Sequence, residues 1–192
     1  VMGVSRKLNE PFFVLATQNP IEQDGTYPLP EAQMDRFLMK ISMGAMSKAE
    51  ELEMIDRYIC DEPLQNIEAV CSAEDICKLQ EECRNIFVHS DLRNYIVELV
   101  QASRSGTGVG MGRPGMEEGV SPRGTLALLR ASQGYALIQG RDYVVPEDIK
   151  AVAVPVLAHR LICEEDDYKR KAGRIQSLLQ TVAVPTEDWK RA

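Results

Sequence analysis

No G-x-x-x-x-G-K-[ST] phosphate loop occurs anywhere in the 192 residues, so this stretch by itself has no ready cradle for a nucleotide β-phosphate. No apolar run approaches membrane-spanning length and no segment reads as a signal peptide, which leaves no expectation of membrane insertion. Five cysteines, Cys60, Cys71, Cys77, Cys83 and Cys163, include no Cys-x-x-Cys pair and no matching His set. The odd count argues against a disulfide framework, the spacing against a zinc site, and reduced thiols in a cytoplasmic protein are the simplest account. A formal net charge of −7 with few aromatics argues against a nucleic-acid surface. The basic cluster Lys169, Arg170, Lys171 and Arg174 falls at helical spacing and reads as a solvated face.

What is present begins with Phe12-Phe13-Val14-Leu15-Ala16-Thr17-Gln18-Asn19-Pro20. An apolar run without alternation reads as a strand buried on both faces, and Asn-Pro forces a turn after it. Asn19 then stands at the carboxyl end of a central strand, where its amide either starts the turn or holds a water or phosphate oxygen. Val1-Met2-Gly3-Val4 reads as a hairpin turn entering that strand, and Phe37 to Ile41 as a further strand.

From Ser47 the pattern turns helical. Ser47 with Glu50, and Ser72 with Asp75, have capping-box spacing; Ser90 is expected to cap a third helix with Leu92, Tyr95, Ile96, Leu99 and Val100 buried. Ser121 and Pro122 suit the N-cap and first position of a fourth helix, running to a stop near Gly140 with Leu126, Leu129, Ala136 and Leu137 as its apolar stripe. Arg123 falls at the start of this helix, where backbone N–H groups favour anions. Pro146 opens a fifth helix with Ile149, Val152, Val156 and Leu157, which Pro155 should kink, and a last one should span Lys169 to Leu179. His159 and Arg160 read as a helix end. Between the third and fourth helices, the glycine-rich run from Ser105 to Val120 lacks the strand and Lys-Ser/Thr context of a phosphate loop and is expected to be a mobile loop.

The segment FFVLATQNPIEQDGTYPLPEAQMDRF (residues 12–37) closely resembles the MoxR family of AAA+ ATPases. The resemblance implies that Asn19 is the sensor-1 residue positioning the attacking water, and that Arg36 is the arginine finger acting on a neighbouring subunit's nucleotide. It also implies that Arg123, in the context Ser121-Pro122-Arg123, is the sensor-2 arginine contacting the γ-phosphate. Without it, Arg36 reads as a surface arginine paired with Asp35. Asp61-Glu62, the only Asp-Glu pair, follows Arg57-Tyr58-Ile59-Cys60 rather than an apolar strand and reads as a helix end, not a Walker B motif.

The fold expected is therefore mainly α: a helical AAA+ lid bundle (residues 47–192, carrying sensor 2) preceded by the last strands of an α/β core (residues 1–43, carrying sensor 1 and the arginine finger). The chain reads as the C-terminal part of a longer ATPase. By resemblance, that parent would use ATP and Mg²⁺ in a homo-oligomeric ring to remodel or chaperone client proteins, with partners that include von Willebrand factor A domains. No metal ligands are assigned within this stretch, and alone it is expected neither to hydrolyse ATP nor to bind it tightly. The helical part is expected to fold from Met43 onward without the core segment. Two alternatives are a non-catalytic helical protein-interaction module and a nucleic-acid-translocating AAA+ protein; the acidic charge speaks against the second.

Overall fold

The structure, a computed structural model, describes residues 7–18, 29–60, 62–104, 119–162, 167–186 and 189. Asn19, the turn expected at residues 1–4 and residues 105–118 of the glycine-rich run lie outside the described residues. The elements are α1 (Glu31–Met34), α2 (Lys48–Cys60), α3 (Ala73–Asn85), α4 (Ser90–Arg104), α5 (Pro122–Ile138), α6 (Pro146–Leu157) and α7 (Tyr168–Thr181), with 3₁₀ turns at Pro63–Asn66 and Ala158–Arg160. The class is mainly α. The chain divides into two units, Val1–Val14 with Ile41–Leu79 and Leu15–Lys40 with Gln80–Ala192.

The first unit contains α2 and the start of α3, and both capping boxes are present there. The Ser47 amide donates to Glu50 Oε2 at 2.6 Å while the Glu50 amide reaches Ser47 Oγ at 3.4 Å. Ser72 and Asp75 repeat the exchange at 3.0 and 3.2 Å. These bonds satisfy amides that the first turn leaves without helical partners, and they hold both carboxyls below their ordinary pKa. Leu52, Ile55 and Ile59 share a face of α2 at helical spacing, yet all three are exposed.

The core lies in the second unit, where α4, α5, α6 and α7 pack together. The buried faces of α4 and α6 are those their periodicity predicts: Leu92, Tyr95, Ile96, Leu99 and Val100 on the one, Ile149, Val152, Val156 and Leu157 on the other. Helix α5 differs. Its buried side is Gly124, Ala127, Leu128, Ala131, Ser132, Gln133 and Ala136, while Leu126 is exposed and Leu129 and Leu137 only partly covered. Small residues at this spacing let α6 approach closely, so the face with least apolar bulk is the one that packs. The polar members are satisfied internally: Ser132 Oγ donates to Leu128 O at 2.8 Å and Gln133 Nε2 to Ile86 O at 2.8 Å.

Helix ends follow local chemistry. Gly140 adopts φ +71°, and the amides of Gly140 and Arg141 reach back to Leu137 O (2.9 Å) and Ala136 O (3.0 Å), a Schellman stop. Asp148 accepts the Val145 amide at 2.8 Å and is held by Arg141, securing the start of α6. The α4 cap is His89, not Ser90: His89 Nδ1 accepts the Asp91 amide at 3.3 Å and Ser90 is already helical. Asp167 caps α7 through the Lys169 amide at 2.9 Å. On that helix Lys171 is 4% exposed, so the basic cluster is not a wholly solvated face.

The expected strands do not pair among the described residues. Phe13 (73% exposed) and Leu15 (84%) are not covered on either face, because an extended run becomes a buried strand only where a ladder partner and flanking layers exist. Residues 37–40 are also without a ladder. The Lys40 amide donates to Pro155 O at 2.9 Å, a carbonyl on α6, and Tyr168 Oη donates to Lys40 O at 3.2 Å. This segment is thus hydrogen-bonded to α6 and α7, and a chain starting at Met43 would leave those polar groups unmet.

Gly124 marks the tightest packing. A Cβ there would lie 2.1 Å from Val120 Cγ1 and 3.2 Å from Arg160 Cδ, both buried residues. Gly124→Ala is expected to destabilise the second unit by about 1–3 kcal/mol from overpacking, outweighing a helix-propensity gain of at most about 1 kcal/mol. Urea unfolding checks this, and an unchanged or raised midpoint would contradict it.

Candidate functional site

Helix α1 ends at Asp35, and the chain then runs past the N-terminus of α5 and the C-terminus of α6. Asp35 accepts from Ser121 Oγ at 3.0 Å through both carboxylate oxygens. Arg123 Nη1 stands 3.4 Å from Asp35 Oδ2, and Arg160 Nε stands 3.4 Å from Oδ1. The Ser121 hydroxyl was expected to cap α5; it turns to the carboxylate instead, and α5 starts on the Ser121 carbonyl, which accepts the Gly124 amide at 2.9 Å. An ionised acceptor forms the stronger bond.

Arg160 is 6% exposed. A guanidinium cannot be buried without partners, and here they are backbone carbonyls: Nη2 donates to Phe37 O at 2.5 Å, Nη1 to Leu38 O at 3.2 Å, and Nη1 also to Val156 O. Burial lowers its pKa and Asp35 opposes that shift. A strand at 37–41 would point the successive carbonyls of Phe37 and Leu38 to opposite sides, whereas here both bond this one side chain.

His159, beside it, is also buried. Its Nε2 accepts from Arg160 Nη1 at 2.7 Å, which leaves the ring proton on Nδ1 to donate to Pro155 O at 3.1 Å. A second proton would have to sit on Nε2 against the guanidinium. Burial first, and the Arg160 charge second, push the His159 pKa down from 6.5 to about 4.

Asp35, Arg36, Leu38, Arg123, Ala127 and Arg160 line an open cleft of about 420 Å³. Three guanidinium groups face one carboxylate there, so the cleft favours an anion. Arg36 and Arg123, singled out separately from the sequence, are brought to this one place; Asn19 lies outside the described residues. The Arg36–Asp35 pairing that the residues suggest without the family resemblance does not form: among the described residues the exposed Arg36 guanidinium makes no hydrogen bond or ion pair, and Asp35 pairs with Arg123 and Arg160. Sequence reading missed Asp35 and Arg160 as partners. Its one signal was Arg160 itself, a charged residue directly after an apolar helix. Among the described residues no cluster of His, Cys, Asp or Glu could hold a metal, and no helix is long and apolar enough to cross a membrane.

Comparison with known proteins defines the class. Residues 1–39 match the model of the ATPase family associated with various cellular activities (AAA), and residues 113–181 match the AAA lid domain. Chaperone MoxR1 of Mycobacterium tuberculosis is 43% identical over 188 residues, 95% of this chain and 49% of that protein. The uncharacterized protein YeaC of Bacillus subtilis is 40% identical over 190 residues, 97% of this chain and 57% of that protein. A crystal structure of a candidate ATPase from Cytophaga hutchinsonii superimposes with a TM-score of 0.83 at 36% identity, covering 97% of this chain and 58% of that one. The chain belongs to the AAA+ ATPases of MoxR type. It spans about half the length of the curated relatives it matches.

The sign of the His159 shift sets a pH dependence. Because the folded pKa lies below the unfolded one, the unfolded chain takes up a proton that the fold refuses, and stability falls as pH drops from about 6.5 to about 4. The loss attributable to this ring is at most about 3 kcal/mol. His159→Gln, which can still donate to Pro155 O, is expected to remove that component, so that unfolding free energies at pH 7 and pH 4.5 lie closer together than in the unsubstituted chain. An equal difference in both proteins would contradict it.

Proposed function

We propose that the full-length protein hydrolyses ATP with Mg²⁺ in a homo-oligomeric ring and couples that cycle to remodelling or chaperoning of client proteins. Family membership supports the nucleotide chemistry. The single observation that carries the assignment here is the exposed Arg36 guanidinium, without a partner among the described residues, in an anion-favouring cleft that Arg123 also lines. In this reading residues 1–43 close the α/β core and residues 47–192 form the lid. Asn19 positions the attacking water as sensor 1, Arg123 contacts the γ-phosphate of its own subunit as sensor 2, and Arg36 reaches the neighbour's nucleotide as the arginine finger.

Arginine suits both cationic roles. Its planar fork is permanently charged and matches two phosphoryl oxygens at once. An exposed group without partners loses little on leaving its place to meet a phosphate. Arg36 and Arg123 each carry the charge and the fork that fit a phosphate anion; Mg²⁺, which would help to neutralise phosphate charge when bound, is assigned to no residue among those described. The 192 residues alone are expected neither to turn over ATP nor to hold it tightly. Client proteins, a partner bearing a von Willebrand factor A domain and a cytoplasmic location are carried by the family resemblance.

In the full-length protein, Arg36→Ala is expected to leave ATP binding nearly intact and to cut turnover about a thousandfold, since the finger acts on charge that develops in the transition state. Arg36→Lys should not rescue it. Arg123→Ala should weaken binding as well as turnover. Mixing Arg36→Ala with a phosphate-loop lysine mutant should restore part of the activity, because mixed rings pair an intact site with an intact finger. Mixed rings that form without regaining turnover would place Arg36 outside the neighbour's site. A full-length protein that binds no nucleotide in calorimetry would favour the helical interaction module instead.

A further inference from the structure

Asp35 has three claimants and satisfies them unequally. Ser121 Oγ donates to it at 3.0 Å. Arg123 touches it at 3.4 Å from a side chain that is 61% exposed, an arrangement that adds little in water. Arg160 Nε is also 3.4 Å away, but it is buried and has no hydrogen-bond partner among the described residues. The remaining nitrogens of the same guanidinium hold the carbonyls of Phe37 and Leu38. Arg36 is therefore bracketed: Asp35 before it, and two carbonyls after it, all face one buried side chain.

We infer that Asp35 is a positioning residue that passes the occupancy of a subunit's own nucleotide site, felt by Arg123, to the placement of that subunit's Arg36. The inference rests on the nucleotide-hydrolysing reading above. A γ-phosphate offers Arg123 a charge-assisted, two-point contact that its loose exposed pair with Asp35 does not match. When Arg123 leaves, the carboxylate has lost one cation and faces an unmet donor on Arg160. Closing that 3.4 Å gap to hydrogen-bond distance moves residue 35, and Arg36 is its immediate neighbour in the chain. Nucleotide bound in one subunit thus fixes the finger that this subunit presents to the next. The carboxylate has two discrete cationic partners, Arg123 and Arg160, which is what a two-state coupling element requires.

The test is Asp35→Asn in the full-length protein, read alone and in an Arg123→Ala background. The amide keeps the shape and can still accept from Ser121 but loses the charge. ATP is expected to bind about two- to fivefold more tightly, the range of an exposed ion pair removed as a competitor. Turnover at saturating ATP should fall about tenfold, within the usual span of coupling between sites. In the Arg123→Ala background the same substitution should leave ATP affinity unchanged, because no competing pair remains to be removed, while turnover still falls, because the carboxylate then rests on Arg160 throughout. A merely structural aspartate would change ATP affinity by the same factor in both backgrounds, and that additivity overturns the inference, as does an Asp35→Asn enzyme with unaltered affinity and turnover. If Asp35→Asn melts early, Asp35→Glu is judged by the same cycle: it keeps the charge but displaces the arm, so ATP affinity should shift only where Arg123 is present. Failure of the underlying reading looks different, since Arg36→Ala would then retain turnover whatever stands at residue 35.

Discussion

The guanidinium of Arg160 is the constraint around which the second unit is arranged. It lies between α6 and the chain leading out of α1, and a buried cation left without partners would cost several kcal/mol. The partners available are the carbonyls of Phe37, Leu38 and Val156 and the carboxylate of Asp35. Meeting that demand draws residues 35–40 onto the helices, keeps them out of a ladder and holds His159 neutral beside the fixed charge. Removing the residues before Met43 would leave the charge in place and remove these acceptors except Val156 O.

Packing makes the arrangement possible. Arg160 passes under the first turn of α5, where Gly124 leaves room for its aliphatic stem and Val120 closes the other side. The same turn carries Ser121 and Arg123 outward to Asp35. A run of four residues, Ser121-Pro122-Arg123-Gly124, therefore sets the helix start, supplies one anion-seeking side chain and admits the stem of another. Small residues further along α5 continue this close approach toward α6, so the geometry of the cleft is tied to the core rather than to a loop.

How much of this could be read from the sequence depended on whether the information was local. The capping boxes at Ser47 and Ser72, the stop at Gly140 and the buried faces of α4 and α6 are set by neighbours a few residues apart, and periodicity with cap chemistry located them. Of the stripe expected on α5 only Ala136 is fully buried, because close packing favours small residues there around Leu128 and bulk alone does not mark burial. Phe12 to Leu15 and Phe37 to Ile41 have strand composition, but a ladder is a property of a pair of segments and composition belongs to one. Ser90 lost the α4 cap to His89 through a ring nitrogen that side-chain oxygen statistics overlook. Arg36 and Arg123 were found by resemblance, and the structure brings both to one cleft. The Asp35–Arg160 contact joins residues far apart in the chain, and nothing near either one announces the other.

The claim that Arg160 ties the segment after Arg36 to the helices has a direct measure in the Lys40 amide, which donates to Pro155 O at 2.9 Å. Its hydrogen exchange, followed by NMR in the unsubstituted chain and in Arg160→Lys, reports whether that tie exists. The account requires a Lys40 amide protected to a degree comparable with core amides of α6, and a marked loss of that protection when lysine, a point charge without the fork, replaces Arg160. A Lys40 amide that exchanges as freely as an unstructured one in the unsubstituted chain, or protection that survives Arg160→Lys unchanged, would contradict it.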